Sequence, residues 1–182
     1  MRAPPRCAAA VFAVAMAALL AGCGSTSNTP APSAGSAAAC PGTVILRPLA
    51  NTAMFLGPGR QPMDVGFYGL LSEITAKCDA GPDAIRASLD TIVVAERGPS
   101  GKGDSVEFNY FIAVTGPDQS VLAKRTLPVR IAIPPEARRA AVTDHVEETI
   151  ALAGTRPADL TIVIGFQQTA EVVQFYKNFR GR

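Results

Sequence analysis

The chain has 182 residues, 48% of them hydrophobic and 18% charged, with 17 Lys and Arg against 15 Asp and Glu. Two of the basic residues, Arg2 and Arg6, fall in an N-terminal leader, so the remainder of the chain is close to neutral and contains no long basic run. That balance argues against nucleic acid as a partner and against electrostatic attachment to a membrane surface.

Residues 1–22 begin with two arginines and continue as "CAAAVFAVAMAALLAG" without a charge. A basic start, a short apolar run and small residues at its end make a secretory signal peptide. The run is shorter than the roughly 20 apolar residues that a membrane-spanning helix needs. Its last residues, Leu20-Ala21-Gly22-Cys23, resemble the lipobox of bacterial lipoproteins. The resemblance implies cleavage before Cys23 and lipid attachment on that cysteine, so that the membrane is reached through a lipid anchor. Gly24 in place of Asp implies sorting to the outer membrane, facing the periplasm. Each buried CH₂ of an acyl chain contributes about 0.8 kcal/mol, and stable anchoring takes more than one chain.

Residues 24–39, "GSTSNTPAPSAGSAAA", hold no charge and no aromatic ring. Such a segment cannot bury enough apolar surface to offset the entropy of ordering it, so residues 23–39 read as the lipidated cysteine and a flexible tether. The remaining residues, 40–182, amount to one domain. Of four cysteines, Cys7 leaves with the leader and Cys23 takes the lipid, which leaves Cys40 and Cys78. In an oxidising compartment two remaining thiols are expected to form a disulfide.

Within the domain, "GTVILRPL" (residues 42–49) is a weak strand, which Pro48 assigns to a sheet edge. "NTAMFLGPGRQP" (residues 51–62) reads as a loop, and Met54, Phe55 and Leu56 make it a candidate interaction loop or a plug for one end of the core. Five runs then alternate with period two. In residues 66–78, Tyr68, Leu70, Ile74, Ala76 and Cys78 share a predicted core face, and in 84–96 Ile85, Ala87, Leu89 and Val93 do so. In 105–116 the inward set is Val106, Phe108, Tyr110, Ile112 and Val114. From 121 to 133 it is Val121, Ala123, Leu127, Val129, Ile131 and Ile133, and in 159–166 it is Leu160, Ile162, Ile164 and Phe166. Gly- and Pro-bearing turns separate the runs, and "GPDQ" (residues 116–119) marks a hairpin. Residues 134–154 fit helical and strand spacing alike, and a strand from about Thr143 is expected because the sheet edge needs a partner. Residues 169–179 read as a short terminal helix capped by Thr169.

Short strands at this spacing predict a mainly β fold, a two-sheet antiparallel sandwich with a short C-terminal helix. The pattern of residues 40–168 resembles uncharacterised Gram-negative lipoproteins with an immunoglobulin- or fibronectin-III-like domain. The Cys-Trp-Cys signature of immunoglobulin domains is absent, since the chain has no Trp.

Chemistry is sparse in the sequence. His145 is the single histidine, with Glu147 on its own strand face and Asp144 on the other, and no nucleophile follows from the spacing. "GPSGKGDS" (residues 98–105) lacks phosphate-loop spacing and precedes a strand. The paired acids Glu147 and Glu148, or Asp79 and Asp83, carry neither a glycosidase nor a calcium pattern. The reading is therefore no catalytic residues, no metal and no cofactor. It favours a lipid-anchored, non-catalytic envelope protein that binds a partner protein or supports an envelope assembly, with a carrier of an apolar ligand such as a lipid as the alternative.

Overall fold

The computed structural model describes residues 40–178; the expected signal peptide, the expected lipid site at Cys23 and the expected tether lie outside them. The described residues form eight strands: β1 (Gly42–Ile45), β2 (Asn51–Phe55), β3 (Val65–Ala80), β4 (Ala84–Arg97), β5 (Ser105–Thr115), β6 (Val121–Ala132), β7 (Arg139–Ala151) and β8 (Thr161–Phe166). One helix comes after them, α1 (Ala170–Asn178). The strands build two four-stranded sheets, in the orders β1-β8-β5-β6 and β2-β3-β4-β7. Every pairing is antiparallel except β1 with β8. The fold is thus the expected two-sheet sandwich with a short terminal helix.

The inner faces meet in one continuous core. The inward sets expected for β4, β5 and β8 are all buried there, Phe108 and Phe166 meeting edge to face at 5.7 Å. Gly69 makes room for that pair, because a Cβ on it would come within 3.1 Å of both rings. "GPDQ" closes the β5–β6 hairpin, with the Gly116 N–H donating to the Ser120 carbonyl.

Two bulges revise the expected faces. In β3 the register slips between Leu71 and Glu73, so Ser72 is the extra residue. Before the slip, Phe67 and Leu71 point into the core; after it, Ile74, Ala76 and Cys78 do. Tyr68 and Leu70 therefore do not share the face expected for them, because one inserted residue inverts a period-two pattern. In β6 the slip falls between the partners of Val114 and Thr115, leaving Leu122 extra and setting Val121 opposite Thr115. Val121 consequently lies on the outer face.

Two further expectations change. Residues 51–55 form a strand and not a loop, since β2 pairs with β3 along Thr52, Ala53 and Met54. The ambiguous segment is a strand, as expected, but β7 starts at Arg139, four residues before Thr143. It pairs with β4 over its full length, so the edge of that sheet extends further than the inward residues alone suggest. β1 is an edge strand, and Pro48 sits just beyond it in a 3-10 turn, Arg47–Leu49.

Helix α1 begins where Thr169 caps it, the Val172 N–H donating to Thr169 Oγ1 at 3.4 Å. It covers one end of the outer face of the β2-β3-β4-β7 sheet, burying Val172 and Phe175. Phe175 meets Phe55 edge to face at 5.2 Å, beside Ala53 and Val65. The Tyr176 hydroxyl donates to the Thr52 carbonyl at 3.0 Å. None of the helices among the described residues is long and apolar enough to cross a membrane.

Candidate functional site

Of the residues singled out in the sequence, Cys23 lies outside the described residues. Cys40 and Cys78 form the expected disulfide, with their Cα atoms 5.4 Å apart. The bridge ties Cys40, two residues before β1, to the far end of β3 and so joins one sheet to the other.

Met54 and Phe55 end strand β2, and of the three residues only Leu56 falls in the loop beyond it. Met54 packs against the sandwich core, while Phe55 lies under α1 with the Arg60 guanidinium 5.1 Å above its ring. Arg60 in turn pairs with Glu171 on the helix at 3.0 Å. Only Leu56 keeps substantial exposure, 38%, and it rests over Gly66. The reason is the alternation of β2, which sends Met54 inward and Phe55 outward to the helix, so the residues serve packing.

His145 stands on the exposed outer face of β7. Its Nδ1 is 2.8 Å from Asp90 Oδ1 and its Nε2 is 3.2 Å from Glu147 Oε1. The hydrogen bond with Asp90 leads in raising its pKa above the ordinary histidine value, and Glu147 adds to it. Asp144 points to the other face, where it accepts a 2.7 Å hydrogen bond from the Tyr110 hydroxyl. Burial, reinforced by that bond, pushes the Tyr110 phenol far up from its usual range. Beside this pair, Arg125 on β6 reaches across to Glu148 on β7 at 2.6 Å, joining the two sheets at their β6/β7 side. The Tyr110–Asp144 and Arg125–Glu148 contacts join the two sheets, whereas His145 pairs within its own sheet. No group of three or more His, Cys, Asp or Glu among the described residues is placed to hold a metal ion.

The outward surfaces of the two sheets differ sharply. Beyond α1, the β2-β3-β4-β7 face presents Glu73, Thr75, Lys77, Arg86, Asp90, His145 and Glu147, as expected where one face meets water. The β1-β8-β5-β6 face is apolar around Val44, Val163, Phe111, Ala113 and Val121 and polar at Glu107, Asn109 and Arg130, and among the described residues no helix covers it. Its cross-strand rows can be read from the register. Val44, Val163, Ala113 and Lys124 form one row. Gly165, Phe111 and Thr126 form the next, and Thr161, Thr115 and Val121 the third.

From these rows Phe111, Ala113, Thr115, Thr161 and Val163 floor a groove of about 690 Å³, with Leu46 on one side and Val121 on the other. Phe111 and Ala113 are buried at its base, whereas Val44, Leu46 and Val121 are 40%, 38% and 62% exposed. Its polar margin is small. Lys124 Nζ lies 4.3 Å over the Phe111 ring and donates to Gln167 Oε1 at 3.2 Å, and Asp159 lines the opposite end. The size falls within the range of ligand sites, roughly 300–1,000 Å³. A second cleft of about 460 Å³ runs beside Tyr68, Arg97 and Arg138. There the Arg97 guanidinium already donates to the carbonyls of Gly103 and Ile133.

The groove escaped the alternation pattern because that pattern records only the inward residues. The runs "YFIAV" (residues 110–114) and "IVIGF" (residues 162–166) are apolar on both faces, which is the mark of a strand covered on both sides. The chain matches no known protein family, and no curated protein or solved structure matches it.

Proposed function

We propose that this protein is a lipid-anchored, non-catalytic component of the bacterial cell envelope that binds a partner protein on the outer face of its β1-β8-β5-β6 sheet. The observation that carries the reading is the uncovered apolar groove floored by Phe111, Ala113 and Val163, since contiguous apolar surface left open on a sheet marks an interaction site. The leader, the Leu20-Ala21-Gly22-Cys23 sequence and the uncharged tether support attachment through Cys23 to the outer membrane, facing the periplasm. A tether of that composition leaves the groove free to reach a neighbour.

The closed core, with Tyr110, Phe108 and Phe166 filling the space between the sheets, favours a protein partner over an apolar ligand carried between them. The His145, Tyr110 and Arg125 contacts are each explained by pairing within the sandwich, and this favours a binding role over catalysis.

The test is site-specific photo-crosslinking in living cells. A photoreactive residue in place of Leu46 or Val121 should give a defined adduct with an envelope protein, identified by mass spectrometry. The same group in place of Lys77, on the polar sheet, should not. Equal adducts at all three positions, or none at Leu46 and Val121, would remove the groove from consideration.

A further inference from the structure

We infer that the partner engages this sheet by strand addition, laying an extended segment along the free edge of β6 between Val121 and Thr126. The inference rests on the reading of the groove face as the binding face and specifies how that face is used.

Among the described residues β6 ends its sheet, pairing with β5 alone. Which of its backbone groups face outward follows from one hydrogen bond. The Asn109 carbonyl of β5 accepts from the Gln167 N–H at 2.9 Å, on the β8 side. Opposed residues in an antiparallel pair exchange both of their hydrogen bonds or neither. Asn109 faces Pro128, so this pair exchanges neither, in keeping with a proline that has no N–H to give. Two and four residues back, with no slip between, Thr126 and Lys124 therefore also direct N–H and C=O away from β5. Among the described residues, no hydrogen bond reaches these outward groups.

Natural sheets guard such an edge with proline, charge or a covering loop. Here the guards are uneven. Pro128 and Arg130 stand in the second half of the strand, while residues 121–126 are exposed throughout. Val121 and Leu122 are 62% and 55% exposed. The two charges in this half are turned off the edge, Lys124 over Phe111 and Arg125 toward Glu148. What remains is a short open template flanked by the groove.

The register defines the occupant. An added strand would place one side chain beside Val121 and another beside Lys124 on the groove side. The matching segment thus carries an apolar residue at the first position and a carboxylate at the second, because opposite charges across strands are favourable and like charges are not. A second copy of this chain fits poorly. Two-fold pairing centred on Lys124 or on Arg125 sets identical cations opposite each other, and centring on Thr126 brings Pro128 onto the opposing strand.

The experiment uses the purified full chain in detergent micelles and a synthetic peptide repeating Val-Thr-Glu-Thr, which in an extended strand sets valine and glutamate in turn along one face. Two variants are compared, Thr126→Pro, which removes one outward N–H, and Thr126→Val, which keeps it. Thermal melting establishes that both remain folded. The expected result is slowed hydrogen exchange at the Lys124 and Thr126 amides on peptide addition. Peptide affinity should be unchanged for Thr126→Val and about tenfold weaker for Thr126→Pro, the scale of a lost edge hydrogen bond with its steric block.

Peptide-induced shifts at Phe111 and Val163, with no protection at Lys124 and Thr126 and no effect of the proline, would overturn strand addition while leaving the groove reading intact. Failure of the peptide to bind at all would also overturn it. So would a concentration-dependent dimer that Thr126→Pro abolishes, which would assign the edge to a second copy.

Discussion

His145 sits between two carboxylates on an exposed sheet face, and its pairing has a defined pH signature. Asp90, hydrogen-bonded to Nδ1, holds the folded pKa above the ordinary value. A raised folded pKa stabilises the protein fully below the unfolded value, about 6.5, and the contribution is lost as the pH rises through the folded value. Replacing His145 with Gln should therefore lower the melting temperature more at about pH 5.5 than at about pH 8.5. Equal effects at the two pH values would show that the pairing carries no charge. The Asp90 partnership was not visible in the sequence, where only Glu147, two positions along the same strand, could be placed beside His145. Asp90 arrives from β4, 55 residues away, through the β4–β7 register.

Among the elements, β1 depends most on a single tie. It has four residues, pairs only with β8, and is mostly exposed. The Cys40–Cys78 bridge, with a sequence separation of 38, connects it to the end of β3. In the chain-entropy account, closing a loop of that size stabilises the fold by about 4 kcal/mol, and native disulfides contribute roughly 2–5 kcal/mol when removed. Replacing both cysteines with Ala should cost stability in that range in a denaturant titration. Hydrogen exchange should accelerate first at residues 42–45 and not in β5, whose inward side chains are buried between the sheets. Uniform acceleration across both sheets would mean that the bridge supports the whole core and not its edge. The pairing of the two thiols was legible from the cysteine count and the expectation of an oxidising compartment. Its role in joining the two sheets was not, because the strand order sets which edges lie together.

For the whole molecule, location and fold are separable. The described residues contain a continuous core of their own, and the proposed lipid site precedes them. Replacing Cys23 with Ser should release the protein from membranes, measured by fractionation, and leave the melting temperature of the sandwich within the spread usual for surface substitutions, about 0.5 kcal/mol. Retention of the variant in the membrane fraction would contradict the anchor. The proposed anchor precedes the sandwich, whereas the groove and the β6 edge belong to it, so loss of anchoring and loss of partner binding are expected to be independent defects in purified protein.

Local chemistry determined much of this protein. The inward faces of β4, β5 and β8, the hairpin at residues 116–119, the Thr169 cap and the two-sheet architecture follow from side-chain alternation and turn residues acting over a few positions. Tertiary structure decided the rest. The bulges at Ser72 and Leu122 inverted the faces of Tyr68, Leu70 and Val121, since a single unpaired residue is invisible to a pattern but reverses everything beyond it. Met54 and Phe55 became packing residues only because β3 offered β2 a pairing edge and α1 folded over it. The open groove likewise depends on which sheet α1 covers. That choice rests on long-range contacts between α1 and β2, and no local sequence pattern encodes it.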